Sequence, residues 1–306
     1  MERSGSLTGD AVLGVQHRLT VDPQRAGQDR QDLAAALRKL RRASGLSGER
    51  LAVRCGMSQS KVSRIETGRT LPTVVDVQQI LSALGVDRDT AEDLLGLAQV
   101  ANAEYEDVRA SVQRGLHHRQ RELATLESSA RHMRHFLPAM ITGLLQTPDY
   151  MRQAMSPAVD PADGDISRAM TMKLERQALL HDGSKRFDFL LTESAVRWQL
   201  CSSSVMAVQI DHLVSISRLP NVHISVLPLT ERVPDAPFHT FVTYDDHLVT
   251  AELFSGRIVL RDPKDIDYYR RLFDFFVSHS AVDEDARAIL ESWADDYRAQ
   301  FMRERD

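Results

Sequence analysis

Apolar residues recur at the three- and four-residue spacing of amphipathic helices over most of the first hundred positions. This pattern predicts five helices, at about 32–44, 47–56, 58–67, 74–84 and 89–104. Gly56, Gly68 and Gly85 stand where three of them end, and Pro72 prevents the third from continuing. We therefore expect a mainly α, five-helix domain over residues 30–103.

The second and third helices are short and lie next to each other in the chain. Leu51 and Cys55 share one apolar face in the second helix, and Val62 and Ile65 share one in the third. A single glycine separates the two helices, which predicts a steep angle between them. Polar and basic side chains remain on the open side of the third helix, which we call the reading helix (58–67). The pattern is typical of a helix-turn-helix.

Thirteen positions between residues 45 and 72 follow one fixed pattern. They are Leu46, Ser47, Leu51, Ala52, Gly56, Met57, Ser58, Val62, Ser63, Ile65, Glu66, Gly68 and Pro72. The segment resembles the helix-turn-helix of the xenobiotic-response-element/lambda-repressor (XRE) family. The resemblance implies that the reading helix enters the major groove of DNA. The family often carries Gln directly after the position of Ser47, where it contacts the DNA backbone, whereas this chain has Gly48.

The resemblance also indicates which side chains contact DNA. Gln59, Ser60 and Lys61 open the reading helix and should meet base edges, because Gln fits adenine and Lys fits guanine. Ser63 and Arg64 lie one turn later and could reach bases or phosphates. The predicted DNA-binding set is completed by Arg42, Ser47, Ser58 and Arg69.

Charge is divided unevenly along the chain. Residues 30–86 include ten basic and four acidic residues, a net charge of +6, whereas the rest has 28 basic and 39 acidic residues, a net charge of −11. A basic head on an acidic body favours a DNA-binding module over a helix-turn-helix that serves only as a protein scaffold. Glu66 is an acid within the reading helix, and we expect it to turn inward and orient the helices.

The pattern changes beyond residue 103. We predict a polar connecting helix over 104–130, which could also supply a dimer seam, and an α+β domain over 131–306. Its predicted strands are 186–191, 222–227, 238–244, 248–253 and 257–260, with helices before and after them. This order predicts a small, largely antiparallel sheet. The composition of residues 1–29 predicts a disordered arm.

The C-terminal part carries a second resemblance. Its residues include the run 143–150 (Gly-Leu-Leu-Gln-Thr-Pro-Asp-Tyr), Arg176, Glu193, Gln209 and the run 220–222 (Pro-Asn-Val). This set is similar to the uncharacterised C-terminal domain found behind such heads in streptomycetes and related actinobacteria. The resemblance implies a regulatory body, often encoded beside a small partner protein in a toxin–antitoxin-like pair. Arg176 and Glu193 are the candidates for a ligand or partner pocket; alternatively, they are ions that fix the fold.

Motifs for catalysis or cofactors are absent from the sequence: no GxGxxG, Walker loop, HExxH, GxSxG or CxxC occurs. Asp245, Asp246 and His247 could be drawn as a catalytic cluster, but between two predicted strands they fit a turn better. We expect no enzyme activity, no cofactor and no metal site. Cys55 and Cys201 lie in apolar patterns and are expected to be free thiols.

Location follows from two further observations. The chain has no run of eighteen apolar residues and no secretory signal at its N-terminus, so we expect a cytoplasmic protein without a membrane segment. The combined expectation is a transcriptional regulator that binds double-stranded operator DNA as a homodimer. The alternative is an antitoxin-like protein that binds a small partner protein from a neighbouring gene and autoregulates its own promoter. A small-molecule ligand of the C-terminal domain is left open, and an enzyme on that domain is disfavoured.

Overall fold

The structure is a computed structural model that describes residues 26–107, 116–156, 166–254 and 256–305. The chain divides into two compact units. The first runs to Glu106 and also includes Ile258–Pro263; the second comprises Asp107–Arg257 and Lys264–Asp306. The arm predicted over 1–29 lies outside the described residues up to position 25, and a helix already begins at Ala26.

Five helices form the first unit, as predicted. They are α1 (Ala26–Ala43), α2 (Gly48–Cys55), α3 (Gln59–Glu66), α4 (Val74–Leu84) and α5 (Arg88–Asn102). Their apolar faces meet in one core, in which Leu37, Val62, Ile65 and Val77 are at most 1% exposed. The apolar residues that recur with helical spacing in the sequence therefore form this core.

The connecting helix predicted over 104–130 is wrong in its first part. Residues Ala103–Asp107 form strand β1, and helix α6 covers Leu116–Ser129. β1 lies beside strand β7 (Gly256–Leu260) in the strand order. Its backbone groups therefore bond to another strand, and this long-range pairing overrides the local helical periodicity.

Helices and strands alternate through most of the second unit. After α6 the order is β2 (His132–Leu137), a 3-10 turn (Gly143–Leu145), α7 (Pro148–Ala154), α8 (Ile166–Gln177), a 3-10 turn (Ala178–His181), β3 (Arg186–Thr192), α9 (Glu193–Arg197), α10 (Ser203–Ile216), β4 (Val222–Leu227), β5 (Phe241–Tyr244), β6 (Leu248–Glu252), β7, α11 (Pro263–Val277) and α12 (Asp283–Arg305). The predicted α+β class is confirmed.

The sheet itself is mixed, which corrects the prediction of a largely antiparallel one. Its order from β7 is β7-β6-β5-β2-β3-β4. β3 pairs in parallel with β2 and with β4, whereas β5 is antiparallel to β2 and β6. Helical crossovers connect β2 to β3 and β3 to β4, and such connections return the chain in the same direction.

The central strand β2 was missed because its pattern does not alternate cleanly between apolar and polar residues. His135 is polar, yet it is 2% exposed and its ring stacks on Phe189 with centroids 4.8 Å apart. Phe136, on the other face of the sheet, packs on Phe276 of α11 at 4.7 Å. Both faces of β2 are therefore buried by tertiary packing that a local pattern does not reveal.

The glycines of the first unit provide a stability test. A Cβ at Gly96, inside α5, would meet nothing within 4 Å. We expect Gly96→Ala to stabilise the unit by about 0.5–1 kcal/mol, because alanine loses less backbone entropy in a helix. Gly56 has φ 66° at the end of α2, so Gly56→Ala should destabilise it by about 1 kcal/mol. Hydrogen exchange of first-unit peptides measures both effects. Tryptophan fluorescence would not, because Trp198 and Trp293 both lie in the second unit. Equal effects of the two changes would contradict this account.

The second unit should lose stability as the pH falls below 6.5. Neither ring nitrogen of His135 has a hydrogen-bond partner among the described residues. Burial, and then the charge of Arg176, lowers the pKa of His135 from 6.5 to about 3. At pH 5 the His135 ring is therefore protonated in the unfolded chain but neutral in the folded chain. This difference lowers the free energy of unfolding by about 2 kcal/mol at pH 5.

His135→Phe should remove this part of the pH dependence while keeping the stack on Phe189. Urea unfolding followed by tryptophan fluorescence at pH 7.5 and pH 5 measures it. We expect the difference between the two pH values to be smaller in the variant by about 2 kcal/mol. The same loss of stability in both proteins would refute the assignment to His135.

Candidate nucleic-acid interface

The two helices of the helix-turn-helix each begin at a serine cap. The Ser47 hydroxyl accepts a hydrogen bond from the backbone N–H of Arg50 at 3.2 Å, and the Ser58 hydroxyl accepts one from the backbone N–H of Lys61 at 3.2 Å. Both serines belong to the predicted DNA-binding set, and both are exposed. Their position makes them helix caps whatever else they contact.

The end of the reading helix depends on one glycine. α3 covers Gln59–Glu66, with Thr67 as its last, capping residue. Gly68 follows with φ 67°, a left-handed conformation that releases the chain from the helix. A Cβ at Gly68 would lie 3.0 Å from the side-chain oxygen of Gln31, so the site is also crowded.

A partly buried ion pair sets the orientation of the reading helix. The Arg41 guanidinium of α1 donates from Nε and Nη2 to the two carboxylate oxygens of Glu66, at 2.5 and 2.8 Å. Its Nη1 donates to the backbone carbonyl of Leu46, in the turn before α2, at 2.8 Å. Hydrogen bonding to Glu66 raises the pKa of Arg41 above its ordinary value. Glu66 is thus turned inward and ties three elements together, as its position predicted.

The open side of the reading helix is polar. Gln59, Ser60, Ser63 and Arg64 are all exposed, while Val62 and Ile65 on the opposite side are 0% exposed. The exposed side chains offer an amide, two hydroxyls and a guanidinium. These are the groups that donate to and accept from base edges and phosphates.

The Lys61 side chain is placed differently from those of Gln59 and Ser60, the other residues at the start of the reading helix. Its ammonium lies 2.6 Å from Oδ1 of Asp76, a carboxylate in the first turn of α4. The Lys61 side chain is 39% exposed and that of Asp76 only 9%. The sequence grouped Lys61 with the base-reading residues, whereas in the structure it flanks the open side and is held by α4.

Further basic residues border a cleft beside the end of the reading helix. Arg38, Lys39 and Arg42 of α1, together with Glu66 and Thr67, line an open cleft of about 370 Å³. Arg42 belongs to the predicted set, and the cleft adds Arg38 and Lys39. The run of charge was visible in the sequence, but only the packing of α1 shows which of its members face the reading helix.

Arg69 completes the basic surface of the helix-turn-helix. It follows Gly68 directly and is exposed. Within the described part of the chain, the guanidinium groups of Arg64 and Arg69 form no ion pair. Both are therefore available to phosphates, in contrast to Arg41.

The two candidate residues of the C-terminal domain belong to separate networks. Arg176 of α8 is 7% exposed and forms a bidentate ion pair with Glu127 of α6. Glu193 accepts a hydrogen bond from the backbone N–H of Leu229 at 3.0 Å and lies 3.5 Å from Arg197. The structure does not bring Arg176 and Glu193 into one site, and each holds fold elements together.

The other residues that the sequence singled out are Asp245 and the two cysteines. Asp245, with φ 52°, forms the turn between β5 and β6 and accepts backbone hydrogen bonds from Arg131 and His132. Cys55 and Cys201 are free thiols. Among the described residues, no three His, Cys, Asp or Glu side chains cluster as metal ligands. No helix in those parts of the chain is long and apolar enough to cross a membrane.

Two family models match the chain. Residues 32–94 match a helix-turn-helix domain, and residues 120–292, more than half of the chain, match the domain of unknown function DUF5753. The first match covers α2, α3 and α4 and parts of α1 and α5, so the helix-turn-helix identity of this unit is established independently of the packing.

Individual relatives cover different shares of the chain. An uncharacterized HTH-type transcriptional regulator, y4dJ of Sinorhizobium fredii, is 44% identical over 48 residues, which are 16% of this chain and 62% of that protein. The chain thus spans about three fifths of this curated relative. The restriction-modification controller protein C.AhdI from Aeromonas hydrophila is 31% identical over 22% of this chain and 94% of its own, with a TM-score of 0.21. NucT from Helicobacter pylori covers 58% of this chain and 97% of its own at 12% identity, with a TM-score of 0.32.

The Arg41–Glu66 pair leads to a stability prediction. Glu66→Ala should destabilise the first unit by about 2 kcal/mol, because it leaves a largely buried guanidinium without its acceptors. Glu92→Ala is the matched control: its ion pair with Arg88 is 2.7 Å long but exposed, and it should cost less than about 0.5 kcal/mol. Hydrogen exchange in peptides from residues 58–68 measures both. Equal protection in the two variants would show that the Arg41–Glu66 pair does not orient the reading helix.

Proposed function

This chain belongs to the DUF5753 family, and we propose that it is a transcriptional regulator that reads operator DNA through the helix-turn-helix of its head. The observation that carries the proposal is the exposed polar side of α3 above a fully buried apolar side. In this arrangement Gln59, Ser60 and Ser63 meet base edges in the major groove. The match of residues 32–94 to a helix-turn-helix domain supports the same function.

Phosphate contacts would surround this reading surface. Arg64, Arg69 and Arg42 are exposed cations at or near the C-terminal end of α3, where the DNA backbone can pass a helix that lies in the major groove. The exposed N-terminal ends of α2 and α3, capped by Ser47 and Ser58, favour phosphate through their free backbone amides. Binding should weaken steeply with salt, because each neutralised phosphate releases counterions.

We propose an XRE-type regulator that binds as a dimer, with one head in each half-site about one DNA turn apart. The second unit then acts by binding a signal or a partner, without catalysis. The antitoxin-like alternative rests on the C-terminal resemblance; co-purification of a small protein encoded next to this gene would support it.

Selection of binding sites from random double-stranded DNA tests the reading residues. Gln59→Ala should lose preference at one base position, at a cost of roughly 1–3 kcal/mol on the best site. Arg69→Ala should weaken binding to all sequences alike and reduce the salt slope by about 0.9, the value for one phosphate. Gln78→Ala, an exposed glutamine of α4, is the matched control and should change neither. A Gln59→Ala protein with unchanged base preference would refute the reading role of Gln59, and a wild type without any preference would refute the function.

A further inference from the structure

We propose that Asp76 is a specificity-determining residue of the DNA interface, because it holds the Lys61 ammonium away from bases and phosphates. Lys61 would then contribute neither a guanine contact nor a phosphate contact, although it stands at the start of the reading helix. This inference rests on the proposed function and deepens it. It assigns base reading to the exposed side of α3 alone.

The position of Lys61 on the helix makes the contact with Asp76 natural. Lys61 is the third residue of α3, next to the buried Val62 and four residues before the buried Ile65. Its stem therefore leaves the helix at the border between the buried and the open side. From this border the ammonium reaches Oδ1 of Asp76 at 2.6 Å.

Asp76 is the fixed member of the pair. Its backbone N–H donates to the Thr73 hydroxyl at 3.1 Å, and its Oδ2 accepts from the backbone N–H of Thr73 at 3.2 Å, a complete capping box. The next backbone N–H, of Val74, donates to Asp262 at 2.9 Å. The start of α4 is thus held on both sides, and one carboxylate oxygen of Asp76 remains directed at Lys61.

Local electrostatics favour this pairing over a free lysine. The first turn of α3 has no acidic residue, so Lys61 places a positive charge near the positive end of the helix dipole. Asp76 supplies the missing negative charge from α4. Withdrawing Lys61 would also leave a carboxylate that is only 9% exposed without its counter-ion, which opposes transfer of the ammonium to DNA.

A released Lys61 would change recognition in two ways. Lysine donates to O6 and N7 of guanine, so it would add a guanine preference. It would alternatively neutralise a phosphate, which strengthens binding to every sequence. Asp76 prevents both, and base preference then depends on residues such as Gln59 and Ser63.

The test compares wild type, Asp76→Asn, and the double variant Asp76→Asn/Lys61→Gln in DNA binding at several salt concentrations and in site selection. Asparagine keeps an oxygen that can accept from Thr73, and the double variant removes both charges at once. We expect the double variant to match the wild type in base preference and in salt slope. Asp76→Asn alone should steepen the salt slope by about 0.9 or gain at least about a five-fold preference for guanine at one position.

The opposite result is equally clear. A double variant that loses base preference, or whose salt slope falls by about 0.9, would show that Lys61 contacts DNA in the wild type and would overturn the proposal. So would an Asp76→Asn protein that binds as the wild type does. Hydrogen exchange of residues 58–68 checks that each variant keeps the reading helix. The wild-type titration in the same experiment tests the proposed function separately, since it shows whether sequence-specific binding exists at all.

Discussion

An eight-residue helix does not hold its own shape in water, because a helix this short recovers too few hydrogen bonds for the cost of its first turn. α3 is such a helix, and everything proposed for the head depends on how it is held. Val62 and Ile65 anchor its inner side in the core, and the serine cap and Gly68 define its two ends. The bidentate pair between Arg41 and Glu66 then fixes its direction relative to α1.

The ion pairs that hold the head together divide its cations into two groups, those paired internally and those that face outward. Arg41 and Lys61 are committed to Glu66 and Asp76, two of the few acids of this basic segment. Other cations face outward around the reading helix, among them Arg64. Net charge therefore measures the attraction of the head to DNA, whereas the internal ion pairs decide which cations are available to make contacts.

Charged residues of the second unit also serve its fold. Arg176 and Glu127 join α8 to α6 in a buried pair, and the Lys185 ammonium donates to the backbone carbonyls of Glu127, Ser128 and Ala130 at the end of α6. Lys185 thereby satisfies carbonyls that a helix end leaves without partners. Arg176 and Glu193, the pocket candidates of the sequence, thus hold elements of the second unit together.

The sequence by itself determined the five helices of the head, the caps at Ser47 and Ser58, and most strands of the C-terminal part, because periodicity and capping act over a few residues. It also indicated the inward role of Glu66. Only the tertiary structure decided that 103–107 is a strand and that β2 lies at the centre of a mixed sheet, since strand pairing depends on residues far away in the chain. It likewise placed Lys61 on Asp76, fifteen positions later. A side chain at the border of a helix can turn either way, and the neighbouring helix determines which.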